Sequence, residues 1–79
     1  MMTKPVPMTP NQSLFALFCI EALAVEIGTT GNIIYKMLTE DSDILDGYIL
    51  PYYDALHTQG KDYLLRELKQ VMQERGVLQ

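Results

Sequence analysis

Apolar residues recur at helical spacing through most of this 79-residue chain, and that spacing predicts four helices. We expect them over residues 10–27, 31–40, 44–57 and 61–75. No segment alternates apolar and polar residues with a period of two, so we predict no sheet. The pattern therefore predicts an all-α fold, a compact bundle of four helices. It forms a single domain over residues 9–79, and residues 1–8 form a flexible N-terminal tail.

The first predicted helix carries two apolar arcs, whereas a surface helix usually has one apolar stripe. One arc comprises Leu14, Phe15, Phe18, Ala22 and Val25. The other comprises Ala16, Leu17, Ile20, Leu23, Ala24 and Ile27. Two interpretations stay open. Either this helix is the central, enclosed helix of the bundle, or it packs on its own domain with one arc and on a second chain with the other.

Helix ends are marked by residues with known capping behaviour. Thr9, Pro10 and Gln12 have the spacing of a capping box with proline at the first helical position. Thr30 is the expected cap of the second helix, and Gly28 is the expected stop of the first. These local signals support the predicted helix boundaries.

Pro51 lies inside the third predicted helix. Proline removes a backbone hydrogen bond, and its ring clashes with the carbonyl four residues earlier, which here belongs to Gly47. We expect either a kink near Gly47–Pro51 or a short first turn after which the helix restarts at Leu50.

The charge balance argues against nucleic acid as a direct ligand. The net charge is −4, the sequence pI is about 4.6, and the six basic residues form no run. Binding to DNA or RNA normally needs a basic stripe that displaces phosphate counterions. An acidic chain suits a basic protein partner, although many soluble proteins share this balance.

The small size of the chain points to association. A core of this size supplies roughly 3–5 kcal/mol on its own, and small chains usually add a disulfide, a metal or a partner. The single cysteine, Cys19, cannot form an internal disulfide. We therefore expect very regular helix packing, a homodimer or a protein partner.

The apolar run at residues 14–20 is too short for a membrane-spanning helix, and Glu21 and Glu26 interrupt its extension. Prolines precede the run, and the apolar pattern continues beyond the position where a signal peptide would be cleaved. We expect a cytoplasmic protein with no membrane partner.

His57, the only histidine, shares a helix face with Asp54 three residues earlier. A carboxylate–histidine pair builds a metal site only with further ligands from facing helices, which Glu21 or a second copy would have to supply. A histidine in the last turn of a helix also bonds the last carbonyls and interacts favourably with the helix dipole. We favour this structural role and predict no metal and no cofactor.

The cysteine and the tyrosines give weaker indications of a functional site than His57 does. Cys19 lies in a nearly continuous apolar run, so we expect a buried, inert thiol and no catalytic pair with His57. Tyr48, Tyr52 and Tyr53 form either a stacking platform for a flat ligand or, more commonly, a core edge whose exposed rings anchor an interface. We predict no catalytic residue.

Two groups of residues carry a recognisable pattern. They are Phe18-Cys19-Ile20-Glu21 in the first helix and, later, Tyr48-Ile49, Tyr52-Tyr53-Asp54, Leu56-His57-Thr58-Gln59-Gly60 and Tyr63. In these residues the chain resembles a small uncharacterised bacterial family, a domain of unknown function, over about residues 14–75. The structural signature or interface residues are then Phe18, Glu21, Tyr52, Tyr53, His57, Thr58, Gly60 and Tyr63. We expect Gly60 to permit the turn before the fourth helix and Tyr63 to pack back on it.

The resemblance implies no activity. Members of that family are often encoded beside other small genes, including ones resembling ADP-ribosyltransferase toxins, which implies an antitoxin or accessory role. This chain departs from the family pattern at Pro51 and after Tyr63, where Glu67 is the candidate for the family's usual acidic residue.

Our leading hypothesis is a non-enzymatic protein–protein interaction module that acts as a homodimer or with a neighbour-encoded partner. The alternative is a small metal- or ligand-binding sensor or enzyme centred on Asp54, His57 and the nearby tyrosines. A third possibility, nucleic-acid binding through the second and third helices, is disfavoured by the charge.

Overall fold

Three long helices and two short helical segments make up the computed structural model, which describes residues 9–78. They are α1 (Pro10–Ile27), α2 (Gly31–Thr39), a π-helical turn (Leu45–Ile49), α3 (Tyr53–Leu56) and α4 (Lys61–Glu74). The described part of the chain contains no strand, which confirms the predicted all-α class. The predicted tail at residues 1–8 lies outside the described residues.

Both ends of α1 follow the predicted capping chemistry. The Thr9 hydroxyl accepts the Gln12 N–H, the Gln12 side chain accepts the Thr9 N–H, both at 3.1 Å, and Pro10 occupies the first helical position. At the other end Gly28 has φ 88°, a left-handed conformation that glycine adopts without steric cost. Its N–H donates to the Ala24 carbonyl at 2.9 Å and closes the helix.

The start of α2 also follows the prediction. The N–H of Ile33 donates to the Thr30 hydroxyl at 3.3 Å, so Thr30 caps the helix. The helix ends at Thr39, one residue before the predicted boundary. The hydroxyl of Ser42 then donates to the Met37 carbonyl at 2.7 Å and fastens the connection to the last turn of α2.

The interruption expected near Pro51 is present, and the segment predicted as 44–57 is not one continuous helix. Its first half is the π-helical turn Leu45–Ile49, in which the N–H of Leu50 bonds to the carbonyl five residues earlier at 3.0 Å. Pro51 has no N–H to continue the ladder, and α3 begins at Tyr53, three residues beyond the predicted restart. Three long helices with this broken segment between the last two thus stand where we predicted a bundle of four.

The hydrophobic core draws on every element. Its buried apolar side chains are Ala16, Cys19, Leu23, Ala24, Ile34, Leu38, Ile44, Leu45, Ile49, Leu56, Leu64, Leu65, Leu68 and Met72. No polar or charged residue between residues 9 and 78 is buried with them. Because α1 packs against both α2 and α4, the core lies on one side of α1.

The solvent side of α1 is also apolar. Leu14, Leu17, Phe18 and Val25 remain exposed there, opposite the buried Leu23. Of the two interpretations of α1, the one in which the helix is enclosed by the bundle is therefore wrong. The other elements described here are too few and too short to surround an 18-residue helix.

By length and composition, α1 also meets the requirements of a membrane-spanning helix, with a mean hydropathy of 1.2 over its 18 residues. The segment that meets these requirements is the whole helix, whereas the uninterrupted apolar run covers only residues 14–20. One such helix is weak evidence of membrane insertion, because a core helix of a soluble protein and a signal sequence near the N-terminus have the same properties.

Candidate protein-interaction surface

An aromatic joint, formed by Phe15, Tyr53 and His57, links α3 to α1. The rings of Phe15 and Tyr53 meet edge to face, with centroids 5.4 Å apart and planes at 77°. Tyr53 begins α3 and His57 directly follows its last residue; their rings stack almost in parallel, with centroids 4.3 Å apart and planes at 6°. Edge-to-face and offset-stacked pairs are both favourable ring geometries, so the joint holds the short α3 in place.

His57 and Thr58 satisfy carbonyls at the end of α3. The Nδ1 atom of His57 lies 2.7 Å from the Tyr53 carbonyl oxygen, so in this contact the ring donates from Nδ1. The Thr58 hydroxyl donates to the Ala55 carbonyl at 3.0 Å. The contact that we expected between a last-turn histidine and a backbone carbonyl is therefore present.

The part of the chain that the structure describes holds no set of metal ligands, which the metal-binding alternative requires. No group of three or more His, Cys, Asp or Glu side chains in residues 9–78 has the spacing to hold a metal ion. Asp54 is exposed on α3, and the Nδ1 atom of His57 is already in contact with a backbone carbonyl.

The tyrosines do not form a flat platform. The rings of Tyr48 and Tyr52 are tilted by 49°, and one face of the Tyr53 ring is covered by His57. The Tyr48 hydroxyl donates to Glu67 Oε1 at 3.3 Å and connects the π-helical turn to α4. Partial burial and, to a smaller extent, the Glu67 charge raise the pKa of Tyr48, so this phenol stays protonated and serves as a donor.

The turn before α4 differs from our expectation at Gly60. Gly60 is extended, with φ −65° and ψ 154°, and a Cβ atom there would meet nothing within 4 Å. The turn therefore does not require glycine, and the expectation that Gly60 permits it is wrong. Tyr63 is about half exposed, and the Arg66 guanidinium lies over its ring, 6.0 Å from the centroid; the packing of Tyr63 on the turn stays a prediction.

Cys19 is fully buried in the core face of α1. Burial raises the pKa of its thiol from 9.0 to about 12, because the charged thiolate loses its hydration. The thiolate is the nucleophilic form of cysteine, so Cys19 is inert near neutral pH.

The most unusual surface is the α1 stripe, which we define as Leu14, Leu17, Phe18 and Val25. Their exposed fractions are 66%, 52%, 43% and 83% respectively. The spacing places all four on the solvent side of α1, with Glu21 among them. Single exposed apolar side chains are normal, whereas an aligned group marks an interaction site.

A groove between α1 and α2 adjoins the α1 stripe. It has a volume of about 360 Å³. Its lining residues are Leu17, Ile20, Glu21, Thr30, Gly31, Asn32 and Tyr35. Oε2 of Glu21 lies 3.7 Å from the position that a Cβ atom on Gly31 would occupy, so this carboxylate is close to the positive end of α2. Leu17 belongs to both features, and Glu21 of the groove lies among the stripe residues, so the two form one continuous surface.

A family model described as a protein of unknown function, DUF3791, matches residues 14–75. The chain belongs to the DUF3791 family. The match includes the α1 stripe, the groove and the aromatic joint, and it confirms the resemblance to a domain of unknown function. No curated protein and no solved structure was found to be similar to the chain.

The signature that we read from the sequence divides between two places in this DUF3791 chain. Phe18 and Glu21 lie on the solvent side of α1, whereas Tyr53, His57 and their neighbours belong to α3 and its turn. Sequence reasoning missed Leu17, which we placed in the arc that proved to be mostly buried. It also missed Tyr35, although an aromatic residue outside the apolar stripe of α2 was a usable signal.

Proposed function

We propose that this chain is a non-enzymatic protein-interaction module that binds its partner through the α1 stripe. The observation that carries the proposal is the exposure of four large apolar side chains on the face of α1 opposite the core. Removing apolar surface from water contributes about 25 cal/mol per Å², so covering this stripe with another protein is favourable.

The size of the core supports the same proposal. A core of fourteen buried residues belongs to a size class that usually gains stability from association. A typical stable interface buries about 800 Å² on each partner, and the chain exposes 5116 Å² in total. The α1 stripe with the adjoining groove can form the apolar centre of such an interface.

A protein surface fits the stripe better than a membrane surface does. The chain carries a net charge of −4, and Glu21 lies within the stripe itself. Cellular membranes with anionic lipids attract basic segments and repel acidic ones. We therefore place the protein in the cytoplasm, away from the membrane.

The chemistry of the described residues favours binding over catalysis. The Cys19 thiol is protonated, and the Nδ1 atom of His57 is in contact with the Tyr53 carbonyl. The partner is a second copy or the product of a neighbouring gene. In the latter case the chain has the antitoxin-like or accessory role that the family resemblance implies.

The test compares the wild-type chain with Leu17→Glu, with Ile33→Glu as the matched control at an exposed apolar position outside the stripe. Each tagged protein is produced in the native cells, and co-purifying proteins are quantified. Light scattering on the purified chain gives its own mass. We expect a stoichiometric protein, either a second copy or another chain, that Leu17→Glu loses and Ile33→Glu retains. A monomer that recovers the same proteins with and without Leu17→Glu would contradict the proposal.

A further inference from the structure

We infer that the occupant of the α1 stripe and groove is an amphipathic helix of a different protein, one that presents a lysine or arginine to Glu21. This inference rests on the proposed function and adds to it the chemistry of the partner.

Glu21 is the residue that decides the charge of the site. It lies among the exposed apolar side chains of the α1 stripe and also lines the groove. An interface that covers the stripe therefore removes water from this carboxylate. A carboxylate taken out of water without a partner is costly, whereas a charge-assisted hydrogen bond to a lysine or arginine compensates for the lost hydration.

The chain itself does not supply that cation among its described residues. The described cations are Lys36, Lys61, Arg66, Lys69 and Arg75, and none of them lines the groove. Three of them already form ion pairs: Lys36 with Asp41, Lys69 with Glu26 and Arg75 with Asp43. The positive end of α2 lies near the Glu21 carboxylate, but no lysine or arginine of residues 9–78 lines the groove beside it, so we assign the cation to the partner.

This arrangement disfavours a second copy as the occupant. In a two-fold dimer the same patch lies on both sides of the interface, so each α1 stripe would meet another stripe with a carboxylate and no cation. The two Glu21 side chains would lose water near each other, and two chains of net charge −4 would come together. Juxtaposing like charges in this way selects against a wrong partner.

The dimensions of the surface fit a helix. From Leu14 to Val25, α1 advances about 16 Å, or roughly three turns, which is long enough for the i, i+3, i+4 and i+7 anchors of helix-in-groove recognition, since these span about two turns. A groove of about 360 Å³ has room for apolar anchors between Leu17 and Tyr35. Exposed tyrosine is one of the residues most enriched at binding hot spots.

The experiment uses two synthetic helical peptides as probes. Both are 18 residues long, as α1 is, and carry the same leucine face, and they differ only at the central position, arginine in one and glutamate in the other. Each is titrated into the full isotope-labelled chain, and amide shifts are followed by NMR. We expect shifts at Leu17, Glu21, Gly31 and Tyr35, and at least about fivefold tighter binding of the arginine peptide, which is the upper end for an exposed ion pair, because a partner that covers Glu21 strengthens its pairing with arginine.

Charge variants assign the effect to one carboxylate. Glu21→Gln should remove the preference for the arginine peptide, and Glu21→Arg should reverse it. Asp54→Asn removes an exposed carboxylate that does not line the groove and should leave the preference unchanged.

Three results would overturn the inference. They are equal affinity of wild type for both peptides, binding of neither at about 1 mM, and shifts confined to residues outside the stripe and groove. A dimer that sedimentation detects and Leu17→Glu abolishes would also reject a different protein as occupant, but it would uphold the proposed function. A partner recovered from native cells whose binding does not depend on Glu21 would do the same.

Discussion

The two faces of α1 both carry apolar residues but have opposite surroundings. The core face carries Leu23 and Cys19, both with no exposed surface, whereas the solvent face carries Leu17 and Val25, exposed by 52% and 83%. Hydrophobicity alone does not distinguish them. What distinguishes them is that α2 and α4 pack on one side, and no described element covers the other.

The difference shows how an apolar pattern should be interpreted in a small helical domain. A second apolar arc costs little while the chain is alone, because scattered exposed apolar groups are common on soluble proteins. It becomes informative when several large side chains align, as in the α1 stripe. Four experiments test the difference between the two faces of α1.

Leu23→Ala should destabilise the protein by about 3 kcal/mol, because it leaves a cavity in the core where Leu23 is fully buried. Val25→Ala, two residues later, should change the free energy of unfolding by less than about 0.5 kcal/mol. Urea unfolding followed by circular dichroism measures both. If Leu23→Ala and Val25→Ala lowered the free energy of unfolding equally, the two faces of α1 would be equally buried in solution.

The Cys19 thiol should make stability fall at alkaline pH. Its pKa is about 12 in the folded state against an ordinary 9.0, so the unfolded state loses its proton first. The contribution is fully present below pH 9 and decreases from there up to the folded pKa, by about 1.4 kcal/mol at pH 10.

The Cys19 effect is measured as the difference in unfolding free energy between wild type and Cys19→Ala at pH 8 and pH 10. The alanine variant is the control for tyrosines and lysines that ionise in the same range. If that difference does not change with pH, the thiol reaches water, and the core face of α1 is more open than its burial indicates.

Phe15→Leu should cost about 1 kcal/mol, because it removes the edge-to-face contact with Tyr53 at the flank of α1. Phe18→Leu, on the α1 stripe, should leave stability within about 0.5 kcal/mol. A double-mutant cycle of Phe15 with Tyr53 isolates the ring pair. Zero coupling in that cycle would show that the joint does not hold α3 to α1.

Lys69→Met should raise the pKa of Glu26, which lies at the edge of the core face. The Lys69 ammonium donates to Glu26 at 2.8 Å, and this hydrogen bond, followed by the charge itself, holds the Glu26 pKa below its ordinary 4.5. The pair therefore stabilises the fold above that ordinary value, and the effect disappears as pH falls through the lowered pKa.

Carboxyl NMR titration measures the Glu26 pKa, and Lys36→Met is the control because Lys36 pairs with Asp41. We expect the smallest effect here, since both partners of the Glu26 pair are exposed to solvent. A Glu26 pKa that Lys69→Met leaves unchanged would show that Lys69 and Glu26 do not pair in solution.

Helix ends were the most predictable part of the fold. The capping box at Thr9 and Gln12 and the left-handed Gly28 involve residues within a few positions of one another, so short stretches of sequence specify them. The interrupted helix was less predictable. Pro51 predicted an interruption of the helix. The π-helical form of the segment before Pro51 and the restart at Tyr53 depend on contacts such as that of Tyr48 with Glu67, nineteen residues apart.

The candidate site was only partly predictable. Phe18 and Glu21 were identified as signature residues, but the place of Glu21 in one groove with Tyr35 depends on how α2 crosses α1. His57 was assigned to the end of a helix, and its contact with the Tyr53 carbonyl is local. Its stack in the aromatic joint, through Tyr53 to Phe15, requires the tertiary fold.

The sequence by itself determined the all-α class, the ends of α1, the start of α2 and the presence of two apolar arcs on α1. Those features depend on propensity, capping and spacing, which act over one or two turns. Only the tertiary structure decided which side of α1 is covered by α2 and α4, and that Leu17 of one arc joins Leu14, Phe18 and Val25 of the other in the α1 stripe. Burial depends on neighbours that are distant along the chain, so the helical pattern alone contains no information about them.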